Sequence, residues 1–173
     1  LPLELEKRKK IYELIRKNPG LHFRELLRLL DMNVGDLQYN LSVLEKESLI
    51  VGKDEFGYRR YYPNQMEFPE EKKVLPFLRQ PVQRKIIIEI LMKEKATLNE
   101  VSQDLGIKNQ TVLYHIKKML KSGMIIQEKE GKNIYYIMKN PDLISRTLIR
   151  YREGFSDKFV EKFIEFWKSS GKI

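Results

Sequence analysis

Apolar residues recur along the chain at helical spacing, stop at short polar turns, and then switch to the two-residue period of strands. Ile11, Leu14 and Ile15 predict an amphipathic helix that ends at Pro19-Gly20. Phe23, Leu26, Leu27 and Leu30 predict a second helix, broken at Asp31-Met32-Asn33. Leu37, Leu41 and Leu44 share one face of a third, with Asn33 as its N-cap and Asp36 three residues on. Leu49-Ile50-Val51, a loop with Asp54 and Gly57, and Tyr58 to Tyr62 then read as a β-hairpin with a charged tip.

The whole pattern returns. Residues 11–50 align without a gap on residues 86–125, at an offset of 75, with Ile11/Ile86, Ile15/Ile90, Glu25/Glu100, Leu30/Leu105, Tyr39/Tyr114, Lys46/Lys121 and Ile50/Ile125 identical. Beyond that point Tyr61-Tyr62 meets Tyr135-Tyr136 at an offset of 74, which suggests hairpin loops of different length. Tyrosines adjacent in a strand face opposite ways, so one of each pair is expected in the core. In the second copy Ile86, Ile87, Ile90 and Leu91 mark the first helix. Thr97 with Glu100 fits a capping box for the next, and Gly106 supplies the turn. Val112, Ile116, Met119 and Leu120 mark the third helix, which Gly123 ends. Met124-Ile125-Ile126 and Ile134 to Ile137 flank a tip at Glu130-Gly131-Lys132. A duplicated unit of about 60 residues is a pair of small domains, each with a marginal core that gains from extra packing. The expected bounds are 1–63 and 81–138, with a linker over 64–80 and a helical tail over 139–173.

Composition narrows the function. With 42% hydrophobic and 33% charged residues the chain is globular. No apolar run approaches the ~20 residues of a membrane span, and the N-terminus has no signal-peptide pattern, so a cytoplasmic protein is expected. The chain begins with Leu1 rather than Met, which leaves room for residues upstream. Without cysteine there is no disulfide, thiolate metal site or cysteine nucleophile. His22 and His115 each lack a second histidine at ligand spacing. No cofactor or metal is expected, and no carboxylate pair, Ser/His/Asp set or phosphate-cradling glycine loop suggests an enzyme. The net charge of +9 and pI near 9.5 point to a polyanionic partner. Residues 81–138 carry 10 basic and 6 acidic residues and residues 139–173 carry 8 and 5, against 12 and 10 in residues 1–63. The excess therefore sits in the second copy and the tail.

Three helices and a hairpin in each copy resemble a winged helix-turn-helix domain. GLHFRELLRLLDMNVGDLQYNLSVLEKESLI and ATLNEVSQDLGIKNQTVLYHIKKMLKSGMI are similar to the ArsR/MarR-like winged-helix regulators of archaea and bacteria. The resemblance covers roughly 8–63 and 82–138 and implies a tandem winged helix-turn-helix transcription regulator of archaeal type. The fold class is mainly α with small β wings (α+β), plus a C-terminal amphipathic helix. In that family the third helix of each unit reads double-stranded DNA.

On that reading the outer face of the second unit's third helix presents Gln110, Thr111, Leu113, Tyr114, Lys117, Lys118 and Lys121. Gln110 and Thr111 suit base edges or phosphates, and the lysines further along suit phosphates. From Lys108 to Gly123 there are four lysines and no acid. Lys132 and Asn133 stand at the wing tip. His115 either donates to a phosphate or sits at the helix edge. Tyr39 and Tyr114 suit packing against the wing, a hydroxyl given to a phosphate, or both. The first unit presents Gln38, Tyr39, Asn40 and Ser42 among the acids Asp36, Glu45 and Glu47. Gln38 and Asn40 suit adenine edges, and Arg59 and Arg60 suit phosphate or a minor groove. That unit faces either DNA or a protein.

In the linker, Val74, Leu75, Phe77 and Leu78 need burial. In the tail Leu143, Ile144, Leu148, Tyr151, Phe155, Phe159, Phe163, Phe166 and Trp167 form one stripe, with Gly154 as a kink and Ser156 as a cap. The stripe either packs on the chain's own domains or joins two copies as a homodimer, the arrangement that would match a two-fold DNA site.

Overall fold

The computed structural model describes residues 2–155 and 157–171. The chain forms two compact units, residues 1–76 and 77–173.

In the first unit α1 (Pro2–Lys17) buries Ile11 and Ile15. It ends at Asn18, whose Nδ2 donates to the Leu14 carbonyl. The chain then turns at Gly20 into β1 (Leu21–His22) and α2 (Phe23–Leu30). α3 (Val34–Lys46) buries Leu37, Leu41 and Leu44 against Ile11, Ile15 and Leu26. Asn33 caps α3, its Oδ1 accepting from the Asp36 amide at 2.8 Å. β2 (Ile50–Glu55) and β3 (Tyr58–Pro63) form the wing, and β1 adds a third antiparallel strand with Leu21 opposite Tyr61.

His22 is a structural cap. Its Nδ1 accepts from the Glu25 amide while the Glu25 carboxylate accepts from the His22 amide, a reciprocal capping box that opens α2. The imidazole lies flat on Tyr58, with ring centres 4.5 Å apart. Desolvation lowers its pKa, so the ring is neutral near pH 7.

A 3₁₀ turn (Pro69–Lys73) and α4 (Leu75–Arg79) follow the wing. Val74, Leu75, Phe77 and Leu78 are all buried.

The second unit is built round α5 (Pro81–Lys93), whose run Ile86, Ile87, Ile88, Ile90 and Leu91 is buried on every side. α6 (Leu98–Leu105), α7 (Asn109–Ser122) and the wing strands β4 (Ile125–Glu130) and β5 (Asn133–Met138) repeat the first unit. Thr97 stands where His22 stands, its Oγ1 accepting from the Glu100 amide. Ala96 exchanges both backbone hydrogen bonds with Tyr136, the counterpart of Leu21 opposite Tyr61.

The hairpins correct the expected shift of register. Both have two-residue loops, Phe56-Gly57 and Gly131-Lys132, and the offset of 75 holds to their ends: Ile50 pairs with Pro63, and Ile125 with Met138. The positive φ of Asp31, Ser48 and Phe56 recurs at Gly106, Gly123 and Gly131, again 75 residues on. Tyr61 is thus the counterpart of Tyr136, and the match of the two Tyr-Tyr pairs is one of residue type alone. One tyrosine of each pair is buried as expected, Tyr61 and Tyr136, and in the first pair the second is buried too. Tyr61 joins the core, while Tyr62, on the other sheet face, gives its hydroxyl to Glu55 at 2.6 Å and lies beneath the Lys72 ammonium.

The tail divides into α8 (Pro141–Arg150), a 3₁₀ turn ending at Gly154, and α9 (Lys158–Ser169). Ser156 lies outside the described residues; Asp157 caps α9, its Oδ1 accepting from the Val160 amide. The other Asp157 oxygen takes two Arg84 donors, Nε at 2.7 Å and Nη2 at 2.6 Å, which ties α9 to α5. Phe155 sits against the guanidinium groups of Arg79 and Arg84. Leu143, Ile144, Leu148, Phe155, Phe163 and Trp167 are buried within this one chain, while Tyr151, Phe159 and Phe166 stay half-buried. Most of the stripe therefore completes the unit that carries it, as a domain this small requires. Among the described residues no helix is long and apolar enough to cross a membrane.

Candidate nucleic-acid interface

α7 is held from both ends and from beneath. Val112, Ile116 and Met119, at i, i+4 and i+7, have no exposed surface. Gly106, left-handed at φ 64°, ends α6 and turns the chain, and the Asn109 amide side chain donates to Asn99 at 2.9 Å. Gly123, left-handed at φ 79°, ends α7 and releases the chain into the wing.

This packing sets the opposite face outward. Gln110, Thr111, Lys117 and Lys121 are exposed, and Tyr114 is 56% exposed. The Lys118 ammonium lies 4.5 Å above the Tyr114 ring, which places that charge beside the aromatic face. Lys117 and Lys121 make no ion pair among the described residues. The first turn of α7 has no side-chain cap and no acid. Its amide N–H groups and the positive end of the helix dipole thus stay open to an anion. Lys132 and Asn133 are exposed at the wing tip, where Glu130 is paired with Lys95 at 2.5 Å.

His115 sits at the helix edge with Nδ1 turned inward, 3.1 Å from the Gln83 amide nitrogen. Burial, with Lys118 nearby, lowers its pKa, so the ring is neutral near pH 7. A neutral ring bonded through Nδ1 keeps at most one nitrogen for an outside partner.

In the first unit the expected face is only partly available. Gln38, Tyr39 and Ser42 are exposed, and the Ser42 hydroxyl donates to the Tyr39 carbonyl. Asn40 is fully buried, giving Nδ2 to the Asp36 carbonyl and taking Arg8 Nε at 3.2 Å, so it reads no base. Arg60 is 1% exposed and is likewise no phosphate ligand. It donates to the Gly20 carbonyl at 2.7 Å and lies 3.8 Å from Glu25. Side chains alternate along β3, so Arg60 lies on the Tyr62 face of the sheet and Arg59 on the face of Tyr61, whose ring centre is 5.9 Å from its guanidinium. Arg59 is committed there too, to Glu45 at 2.8 Å and Asp54 at 3.4 Å, and welds the wing to the end of α3. Its side chain lies across Gly52, where a β-carbon would stand 2.7 Å from the guanidinium carbon.

The acids of α3 are partly neutralised. Lys7 reaches Asp36 at 2.8 Å and holds its carboxyl below the usual range. Asn33 and Asp36 together close the first turn of α3, the site that α7 leaves open.

One contact was legible only by comparing the copies. Arg8 meets Asn40, and 75 residues later Gln83 meets His115, so each unit ties its third helix to its first through a polar pair.

Two family models agree with this architecture. The family model described as an N-terminal HTH domain matches residues 5–75, and that described as winged helix-turn-helix DNA-binding matches 79–126. An uncharacterized HTH-type transcriptional regulator of Methanocaldococcus jannaschii is 38% identical over 130 residues, which are 75% of this chain and 32% of that protein. The chain thus spans about a third of the length of this relative. Among solved structures, the transcriptional repressor BigR of Xylella fastidiosa overlays 51% of this chain and 89% of its own at 19% identity and a TM-score of 0.43. The transcriptional repressor PagR of Bacillus anthracis overlays 46% and 92% at 23% identity and a TM-score of 0.41.

Proposed function

Because the chain belongs to the winged helix-turn-helix family of transcription regulators, with two such domains in tandem, we propose that it binds double-stranded DNA sequence-specifically through its second unit and performs no chemistry. The observation that carries this reading is the outer face of α7, which has an uncapped, acid-free first turn, then Gln110 and Thr111, then Lys117, Lys118 and Lys121. Gln110 and Thr111 contact base edges or phosphates where the helix enters the major groove. Lys117, Lys118 and Lys121 neutralise phosphates, with Tyr114 beside them, and Lys132 and Asn133 engage the backbone from the wing. The remaining nitrogen of His115 is a lesser contact at the rim. Selection of bound sequences from random duplexes tests the reading: a recurring motif with steeply salt-dependent affinity is expected. Selection that recovers no motif, or affinity indifferent to salt, overturns it.

For the first unit a protein partner competes with DNA, favoured by the closed first turn of α3 and by the exposed Val34 and Tyr39. Gln38, Tyr39 and Ser42 form the contact surface in either case. Charge reversal of Lys117, Lys118 and Lys121 separates the readings. If it abolishes DNA binding, the second unit reads DNA; if it is tolerated, the tandem is a protein-interaction module. A homodimer through the C-terminal helix rests on what the tail leaves accessible, the half-buried Tyr151, Phe159 and Phe166. Sedimentation equilibrium decides it.

A further inference from the structure

A pocket of about 230 Å³ opens in the second unit between the end of α5, the end of β5 and α9. Ile90, Leu91, Ile137, Met138, Pro141 and Trp167 line it, and Glu94 is its one charged lining residue. The neighbouring lysines are engaged elsewhere, Lys93 with Asp104 and Lys95 with Glu130. Glu94 itself is exposed and forms no ion pair among the described residues.

The backbone at Glu94 is unusual as well. It has φ 68° and ψ −43°, close to the strained γ-turn and accessible at low cost only to glycine. The equivalent turn of the first unit uses Pro19-Gly20 and puts the positive φ on the glycine. Strain held at a residue that lines a pocket is a mark of function.

We propose that this pocket binds a small organic cation, an ammonium on an aromatic or aliphatic body. The ammonium pairs with the Glu94 carboxylate at the mouth, and the body lies between Ile90, Ile137 and the Trp167 indole. A cavity of ~150 Å³ lined by apolar side chains holds benzene, so this one holds roughly nine non-hydrogen atoms. β5 carries Asn133 at its other end, which links the pocket wall to the wing.

Trp167 is the chain's one tryptophan, so its fluorescence reports occupancy without DNA, and the result is independent of the proposed DNA reading. The probe is phenethylamine, compared with 2-phenylethanol, which keeps the body and removes the charge. A saturable change of emission is expected with the amine, with the alcohol about tenfold weaker. Glu94→Gln should make the two probes equal while leaving the melting curve in place. Ile137→Phe, which fills the pocket, should abolish the response to both. If that variant fails to fold, Glu94→Gln alone decides. No saturable response, equal binding of amine and alcohol by the unmodified protein, or a preference that survives Glu94→Gln overturns the proposal.

Discussion

Replacing Lys117 and Lys121 together with alanine tests whether α7 is a phosphate-neutralising face. The two ammonium groups stand one turn apart on the exposed side of the helix, and neither has an acidic partner among the described residues. Their removal therefore breaks no ion pair and should shift stability by no more than about 0.5 kcal/mol. Each phosphate contact contributes about 0.9 to the slope of log K against log salt. At ~0.1 M salt that amounts to roughly eightfold in affinity per lysine, or about sixtyfold for the pair. Near ~0.3 M the same arithmetic leaves about threefold each, so the loss shrinks to roughly ninefold. Fluorescence anisotropy on one labelled duplex across that range gives both the affinity and the slope, which should fall by about 1.8. Lys158→Ala with Lys162→Ala, two exposed lysines on α9, makes the same change of net charge away from α7. If the tail pair costs as much as the helix pair, or the α7 pair leaves the slope unchanged, α7 is not the contact and the reasoning fails.

Arg60→Met should cost the first unit about 2–3 kcal/mol, because it leaves the Gly20 carbonyl without its buried donor and Glu25 without its buried counter-charge; thermal unfolding measures it, and a neutral result contradicts the assigned role. Phe163→Ala should destabilise the second unit by about 3–4 kcal/mol through the cavity left between α9 and α5, read by chemical denaturation. His22 and His115 both have pKa values below the ordinary 6.5 when folded. The unfolded chain then binds the protons first, so stability is full above pH 6.5 and declines as pH falls through the depressed values. His115→Gln should flatten that decline in melting temperature against pH, and an unaltered profile would show that this ring does not contribute. Glu94→Gly relieves a positive φ and should raise the melting point of the second unit, with a net gain of about 1 kcal/mol; a loss of that size would show that the turn is not strained.

The helices and their caps were legible because each is a local code. Leu37, Leu41 and Leu44, and Val112, Ile116 and Met119, repeat at the pitch of a helix, and all are buried. Asn33, Thr97 and Gly123 cap as their types suggest. The cap at His22 is harder to see because a histidine stands in the Ser/Thr place, although Glu25 three residues on carries the signal. Hairpin register is not legible at Tyr61-Tyr62, where residue type matches at one offset and only the strand pairing reveals the loop length.

Polar residues were the harder case. Arg59 and Arg60 look alike in the sequence, yet one lies on the surface bound to Glu45 and the other is buried on the Gly20 carbonyl. Asn40 and Gln38 sit two positions apart on one helix, and Arg8 takes the first out of reach of any base. The apolar tail stripe likewise called for a partner without naming it, and α5 of the same chain takes most of it through Phe163, Trp167 and the Arg84–Asp157 pair.

By itself the sequence determined the duplication, the order of elements in each copy, and the concentration of basic residues without acids on α7. These follow from periodicity and charge along a few turns, which neighbouring residues settle among themselves. Tertiary structure decided which polar side chains are free to meet a partner and which are spent inside. A donor or charge is committed by whatever lies opposite it in space, and for Arg60, Asn40 and Asp157 that partner is 32 to 73 residues away.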